Sequence, residues 1–274
     1  MKMNRVLGLA LGASLLVATS CMEDESMINN NEIAPEVLAK FDALGFNSND
    51  VVKFYGNDAV AGEREGYMVG GDVFISEEQL NDMQPFSEVP GAEQYRTNNL
   101  VGGLPRTISV IGYTGGSNAL TTNMRNGLSY AIGNYNALNT GLNFTVSFST
   151  STSANIVVYK VSGGGGGSAG FPSGGNPYKW VQILSGTDSY GDQVCEHVIT
   201  HEIGHCMGLR HTDYFNRSYS CGSGGNEGDG GVGAIHIPGT PTGVDANSIM
   251  LSCFSANEDG EFSSSDRVAL EYLY

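Results

Sequence analysis

Hydrophobic positions in the second half of the chain follow two different periods. Every second residue is apolar over residues 107–113 and 144–150, which predicts half-buried strands, whereas residues 121–138 carry apolar positions at helical spacing. Continuous apolar runs at residues 154–161 and 180–184 predict two further strands. Strands interleaved with a long helix predict the α+β class (α/β-like), with a sheet backed by a helix.

The residues before this region form a smaller unit. A helix is predicted near residues 35–44 and a strand over residues 67–75. The sequence Ser76-Glu77-Glu78-Gln79 is a capping box that opens a short helix. Proline and glycine residues between positions 85 and 91 mark a boundary. We therefore divide this part of the chain into an N-terminal segment at residues 34–95 and a larger domain at residues 96–274.

The first 33 residues are typical of an exported protein. Lys2 and Arg5 precede an apolar run too short to span a bilayer, so residues 1–20 are predicted to be a signal peptide. Cys21 follows small residues and resembles the lipidated cysteine of bacterial lipoproteins. Residues 21–33 would form a flexible acidic tether to the outer membrane, on its periplasmic or outer face. The alternative is plain secretion.

Charge and composition limit the kinds of partner. The chain of 274 residues has 13 Lys and Arg against 29 Asp and Glu, a formal net charge of −16. This balance excludes a nucleic-acid-binding surface, which requires a basic patch. The 39 glycines and the 40% of apolar residues are typical of a globular protein with many tight turns. We expect a monomer that contacts a membrane only through its lipid anchor.

Four of the five cysteines remain once Cys21 is set aside, and four cysteines in an exported chain predict two disulfides. On one helix, Cys195 and Cys206 would lie about 16 Å apart, too far to bond to each other. Each is therefore predicted to pair with Cys221 or Cys253, in either combination.

A possible metal site lies in the histidine-rich stretch at residues 195–211. His201 and His205 are four residues apart, which places both imidazoles on one face of a helix, where they can bind one Zn²⁺. Glu202 can accept a proton from a metal-bound water. Gly208 can end the helix in the left-handed conformation and bring back His211 as the third ligand. Three protein ligands leave one position for water, as in catalytic zinc sites.

Two further histidines are given other roles. His197 lies one turn before His201 and is predicted to support the site or to face the surface. His236 is predicted to be an ordinary loop histidine.

The sequence HEIGHCMGLRH at residues 201–211 resembles the HExxHxxGxxH signature of the metzincin zinc proteases. The segment Asn247-Ser248-Ile249-Met250 resembles their Met-turn. The chain resembles the dual-action HEIGH metallopeptidases more closely. The matching stretches are residues 201–206, residues 210–214, Gly170-Phe171-Pro172 and Gly175-Asn176-Pro177-Tyr178.

This resemblance implies a metzincin-like catalytic domain with a mixed twisted sheet, a backing helix, a zinc-site helix and an irregular C-terminal subdomain. Met250 would form an apolar floor beneath the metal. The implied activity is that of a zinc-dependent endopeptidase with Glu202 as general base. Its polypeptide substrate would pair with an edge strand near residues 154–159.

The chain departs from the astacin branch of the metzincins at two positions. Thr212 stands where that branch has glutamate, and Ser252 stands where it has tyrosine. We therefore assign no tyrosine a catalytic role. Asp213 is a candidate to orient His211 through a hydrogen bond.

Latency and calcium binding are two further hypotheses. Residues 22–95 contain no cysteine, so no thiolate can cap the zinc. A carboxylate such as Asp72 or Asp82 could take the fourth position instead; alternatively, residues 34–95 are an accessory domain. Two acidic loops, residues 226–229 and residues 257–261, carry oxygen donors suited to Ca²⁺.

Two other functions stay open. One is a surface-binding lipoprotein with a non-catalytic zinc site, which the presence of Glu202 opposes, because a structural site needs no general base. The other is a zinc hydrolase that acts on a non-peptide amide or ester, which the motif does not distinguish from a peptidase.

Overall fold

The computed structural model describes residues 27–28, 33–83, 94–227, 235–241 and 244–274. The predicted signal peptide, Cys21 and the boundary at residues 85–91 lie outside this part of the chain. Within it, no helix is both long and apolar enough to cross a membrane.

The described residues form twelve strands and six α-helices. The strands are β1 (Met27–Ile28), β2 (Val51–Asp58), β3 (Gly62–Val69), β4 (Val73–Ser76), β5 (Tyr95–Arg96), β6 (Arg106–Tyr113), β7 (Leu142–Ser149), β8 (Ile156–Val161), β9 (Gly167–Gly170), β10 (Trp180–Leu184), β11 (Leu209–Arg210) and β12 (Ile235–His236). The α-helices are α1 (Pro35–Ala43), α2 (Glu77–Asp82), α3 (Thr122–Asn136), α4 (Asp192–Cys206), α5 (Ser218–Cys221) and α6 (Ser264–Leu273).

One sheet passes through both parts of the chain. Its nine strands lie in the order β1-β2-β3-β4-β9-β10-β8-β6-β7. Strands β6, β7, β8 and β10 pair in parallel, whereas β2, β3 and β4 pair antiparallel. The two parts meet where β4 pairs in parallel with β9. The predicted α+β class with a mixed sheet is confirmed.

Helix α3 matches the prediction closely. The Thr121 side chain accepts a hydrogen bond from Met124 N and so caps its first turn. The apolar residues spaced along one face are buried in the main core, where the helix packs beside α4: Met124, Leu128, Ala131, Ile132 and Tyr135. The backing helix is thus explained by its hydrophobic spacing.

The N-terminal segment differs from the prediction at its strand. Residues 67–75 form parts of two strands, β3 and β4, because Gly70 and Gly71 both have positive φ and reverse the chain. Strand β2 carries too many polar residues to show a clear strand pattern in the sequence. The capping box at Ser76 and Gln79 is confirmed. This segment packs a separate core, which includes Phe171 of the larger domain.

The strand predicted to border the substrate is not an edge strand. Strand β8 lies between β6 and β10, and residues on both of its sides are paired. Its side chains are almost all buried, which is the usual reason for a continuous apolar run in a parallel sheet. The prediction that a peptide pairs near residues 154–159 is therefore wrong. Strand β9 forms the border of the larger domain, and β4 covers it.

The disulfide prediction is also wrong. The bond joins Cys221 to Cys253, while Cys195 and Cys206 are free and buried. Both free cysteines lie on α4, so the prediction that they do not bond to each other holds. Only two of the four cysteines are paired, because Cys195 and Cys206 fill the core as small apolar side chains.

Peptide mapping tests this pairing. Digestion of the native protein without reduction should give Cys221 linked to Cys253, with Cys195 and Cys206 alkylated only after unfolding. The variant Cys221→Ser should lose about 2–4 kcal/mol of unfolding free energy, the usual effect of opening such a loop. A peptide that links Cys221 or Cys253 to either cysteine of α4 would contradict the structure.

Candidate metal centre

Helix α4 and the turn after it bring the three predicted ligands together. His201 and His205 lie one turn apart on α4 and are both buried. Gly208 follows with φ +99°, a conformation that favours glycine, and a β-carbon there would collide with the backbone oxygen of Asn99. The chain therefore reverses after the helix and returns His211, as predicted.

The three imidazoles converge through their Nε2 atoms. His205 Nε2 lies 3.0 Å from His201 Nε2 and 3.3 Å from His211 Nε2, and the third pair is 3.3 Å apart. The Nδ1 atoms of His201 and His205 each lie 2.8 Å from a backbone oxygen, those of Ile249 and Leu209. A carbonyl can only accept, so both Nδ1 atoms carry the proton and both Nε2 lone pairs point into the cluster.

This donor set fits zinc. Zn–N bonds of about 2.0–2.1 Å place two ligand atoms of a tetrahedral ion about 3.3–3.4 Å apart, close to the separations observed. A fourth donor comes from the N-terminal segment: Asp72 Oδ2 lies 2.8 Å from His211 Nε2, 3.8 Å from His201 Nε2 and 3.9 Å from His205 Nε2. Asp72, His201, His205 and His211 are the one group of potential ligands among the described residues.

Burial and charge shift the pKa values of the cluster in opposite directions. Burial, together with the neighbouring imidazoles, holds the pKa of His205 well below its usual value, so this ring stays neutral. Burial acts in the same direction on His211, but the carboxylates of Asp72 and Glu227 outweigh it and raise that pKa well above its usual value. For Asp72, burial opposes ionisation, and the imidazoles outweigh it and hold the pKa of the carboxyl well below its usual range.

Glu202 is buried next to the cluster without a full set of partners. Its Oε2 atom has no hydrogen-bond partner within the described residues. Burial, and then the negative charge of Asp72, raises the pKa of Glu202 well above its usual value. A buried carboxylate of raised pKa beside metal ligands is suited to accept and release a proton.

Met250 lies beneath the metal-binding helix. A β-carbon built on Gly204 would lie 2.5 Å from Met250 Sδ, so a larger residue at this position of the His-Glu-Ile-Gly-His motif would displace the Met250 side chain. The turn that carries Met250 is fixed from α6. Asp266 accepts hydrogen bonds from Ile249 N and from the Ser248 hydroxyl. The turn thereby also places Ile249 O, the acceptor that orients His201.

The carboxylate that contacts His211 is not Asp213, the residue that the sequence suggested for orienting this histidine. His211 Nδ1 lies 2.5 Å from Glu227 Oε1, whereas the Asp213 carboxylate accepts hydrogen bonds from Ser220 and Ser252. Glu227 belongs to the candidate calcium loop at residues 226–229. It is 16 residues from His211, and no spacing rule connects the two positions.

The other predicted positions differ in how they relate to the metal centre. His197 is buried and lines, with His201 and Glu202, a cavity of about 270 Å³; burial lowers the pKa of His197 to about 3. His236 lies away from the cluster, with Nε2 3.0 Å from Thr240 Oγ1. Residues 257–261 form no metal-ligand group in the described structure, and residues 228–229 lie outside it, so the calcium prediction has no support.

The sequence of the chain matches one known protein family. The sequence profile of the dual-action HEIGH metallopeptidases matches residues 67–274, which is most of the chain and includes all four candidate ligands. The chain belongs to this family. As a HEIGH metallopeptidase it is a hydrolase of peptide bonds, and the family implies zinc for the cluster described above.

Two solved structures of myroilysin are similar to this HEIGH metallopeptidase, each with 16% sequence identity and a TM-score of 0.39. One comparison covers 61% of this chain and 79% of the myroilysin chain, and the other covers 72% and 95%. A comparison with curated proteins gives no match.

Zinc content tests the site directly. The purified metallopeptidase should contain about one zinc ion per chain, because the described residues form one group of four potential ligands. Removal of the metal should lower the thermal midpoint, and added Zn²⁺ should restore it, because an ion that binds only the folded state stabilises it. Elemental analysis and thermal unfolding measure both effects.

The chain offers a matched control for this test. His236→Gln removes a histidine outside the cluster and should leave the zinc content unchanged, whereas His211→Gln should lower it. Equal zinc contents in these two variants would contradict the assignment of ligands.

Proposed function

We propose that the protein is a zinc-dependent endopeptidase of the metzincin type, held latent in this structure by its own N-terminal segment. The observation that carries the proposal is Glu202, a buried carboxylate with one unpartnered oxygen in the cavity that His201 also lines. A purely structural metal site has no use for such a group, because an unpaired buried carboxylate is costly to fold.

The metal and the side chains would have different roles in the reaction. Bound zinc supplies a water of lowered pKa and polarises the scissile carbonyl. Glu202 accepts the proton of the attacking water at its carboxylate and passes it to the leaving amine nitrogen. The histidines hold their Nε2 lone pairs in place, with the protons of His201 and His205 fixed on Nδ1.

The cavity beside Glu202 indicates where a substrate side chain would enter. Its walls combine the glycines 165–167 and the apolar side chains of Leu184, Val198, Leu251 and Phe254 with the charged residues Asp72, Glu202 and Arg217. The extended backbone of the substrate would pair with β9 at the edge that β4 now covers.

The N-terminal segment closes the site in two ways. Asp72 places its carboxylate at the fourth ligand position, where a catalytic site keeps a water. Directly after it, β4 pairs with β9, with Val73 opposite Ala169 and Phe74 opposite Gly170. A peptide and this segment would therefore compete for both the metal and the strand edge.

One alternative has its own supporting observation. Three histidines and one aspartate make a closed set of four potential ligands, as in structural zinc sites, which favours a non-catalytic metal, the premise of the surface-binding lipoprotein. The fourth ligand, however, comes from a separate segment with its own core, and the unpartnered Glu202 remains unexplained in that case. Export and a lipid at Cys21 are compatible with either function and are part of the proposal.

Replacement of the general base tests the mechanism. Glu202→Gln should abolish cleavage of a proteome-derived peptide library while the zinc content is unchanged, because the amide cannot accept the proton. Mass spectrometry identifies the cuts, and elemental analysis measures the zinc. Cleavage by the variant at the wild-type rate would exclude Glu202 as the base.

Replacement of Asp72 tests the latency. Asp72→Ala should raise the basal cleavage rate of the full chain several-fold, because a water can then take the fourth position. Asp82→Ala is the matched control and should leave the rate unchanged, since Asp82 is not in the cluster. Unchanged activity in both variants, with zinc bound, would favour an accessory role for residues 34–95. Zinc binding without any cleavage in wild type and in Asp72→Ala would favour either the non-catalytic alternative or a block by the β4–β9 pairing alone.

A further inference from the structure

Glu227 is the carboxylate on which the third histidine depends. Only 6% of the residue is exposed, and its Oε1 atom lies 2.5 Å from His211 Nδ1. The Ser252 hydroxyl oxygen lies 3.2 Å from the same carboxylate oxygen, and Arg217 Nε lies 3.3 Å from it. The other oxygen lies 4.0 Å from Arg210 Nη2. A buried charge with this many partners is held in one position.

The three ligands are therefore anchored unequally. His201 and His205 donate to neutral backbone oxygens, whereas His211 lies against a charged carboxylate. A carboxylate on the far nitrogen fixes the proton on Nδ1 and makes Nε2 a stronger donor to a metal. His211 is also the histidine that Asp72 approaches most closely, at 2.8 Å. It is thus the ligand whose orientation has the strongest electrostatic control.

We propose that Glu227 is a positioning residue that sets the zinc affinity of the centre by orienting His211. The inference rests on the zinc peptidase function proposed above and adds a residue that the HExxH motif does not contain. Asp213, the candidate from the sequence, is instead used to hold Ser220 and Ser252 in place.

The local structure shows how Glu227 reaches His211 from a distant position in the chain. Its backbone N donates to Tyr214 O at 2.6 Å, which closes the loop between the third histidine and Glu227. The Cys221–Cys253 disulfide ties this loop to the segment after Met250, where Ser252 supplies the hydroxyl contact. The carboxylate is thus fixed by covalent and backbone contacts that are independent of the metal.

The test is the zinc dissociation constant of the full chain, measured by competition with a chelator. Glu227→Gln should weaken zinc binding by about 10–100-fold, the usual effect of losing such a carboxylate. Glu227→Asp should weaken it as well, because the shorter side chain keeps its charge near Arg210 but withdraws from His211 Nδ1. Glu196→Gln is the matched control and should stay within about threefold of the wild type, because Glu196 is a buried carboxylate that accepts a hydrogen bond from Asn134 and is not part of the metal cluster.

Two further readouts separate positioning from a merely structural role. The visible absorption of the Co²⁺-substituted protein should change in Glu227→Gln and Glu227→Asp, because the donor strength of His211 changes. The metal-free thermal midpoint reports folding alone. Loss of stability in the metal-free Glu227 variants with wild-type zinc affinity would overturn the proposal, as would equal weakening by Glu196→Gln. A wild-type chain that binds no zinc would overturn the proposed function itself.

Discussion

Each imidazole of the metal centre is held by a hydrogen bond at Nδ1, and much of the surrounding structure is arranged around these three bonds. His201 depends on Ile249 O, which α6 fixes through Asp266. His205 depends on Leu209 O, in the short strand β11 that pairs with β5. Three separate parts of the chain therefore support one set of Nε2 atoms, because a buried imidazole without a partner at Nδ1 would be free to rotate or to change its tautomer.

The nine-stranded sheet also helps to position residues at the metal centre. Strand β9 borders the cavity, and the N-terminal segment extends the sheet by pairing with it. The segment is attached elsewhere as well: the Tyr159 hydroxyl donates to Asp58 at 2.8 Å, and the Arg210 guanidinium donates to Gly45 O and stacks over Phe46. Asp72 is therefore positioned by several contacts far from the metal, which gives its carboxylate a fixed place beside His211.

The sequence was most informative where chemistry or periodicity is local. The four-residue spacing of His201 and His205, the turn at Gly208 and the helical face of α3 are each decided within a few residues, and all three predictions hold. Predictions failed where distant parts of the chain meet. The partner of Cys221, the strand at the sheet border and the carboxylate beside His211 depend on tertiary packing, which leaves no local signal.

The placement of Asp72 has a consequence for metal supply. A metal held by Asp72 together with three histidines far along the chain would join the two parts of the protein as a removable cross-link, and closing so long a loop restricts the unfolded chain. Chelation would then loosen the N-terminal segment, but it would also remove the ion that the reaction needs. A loss of metal would thus yield an open but inert protein, so that zinc starvation alone would not release an active peptidase.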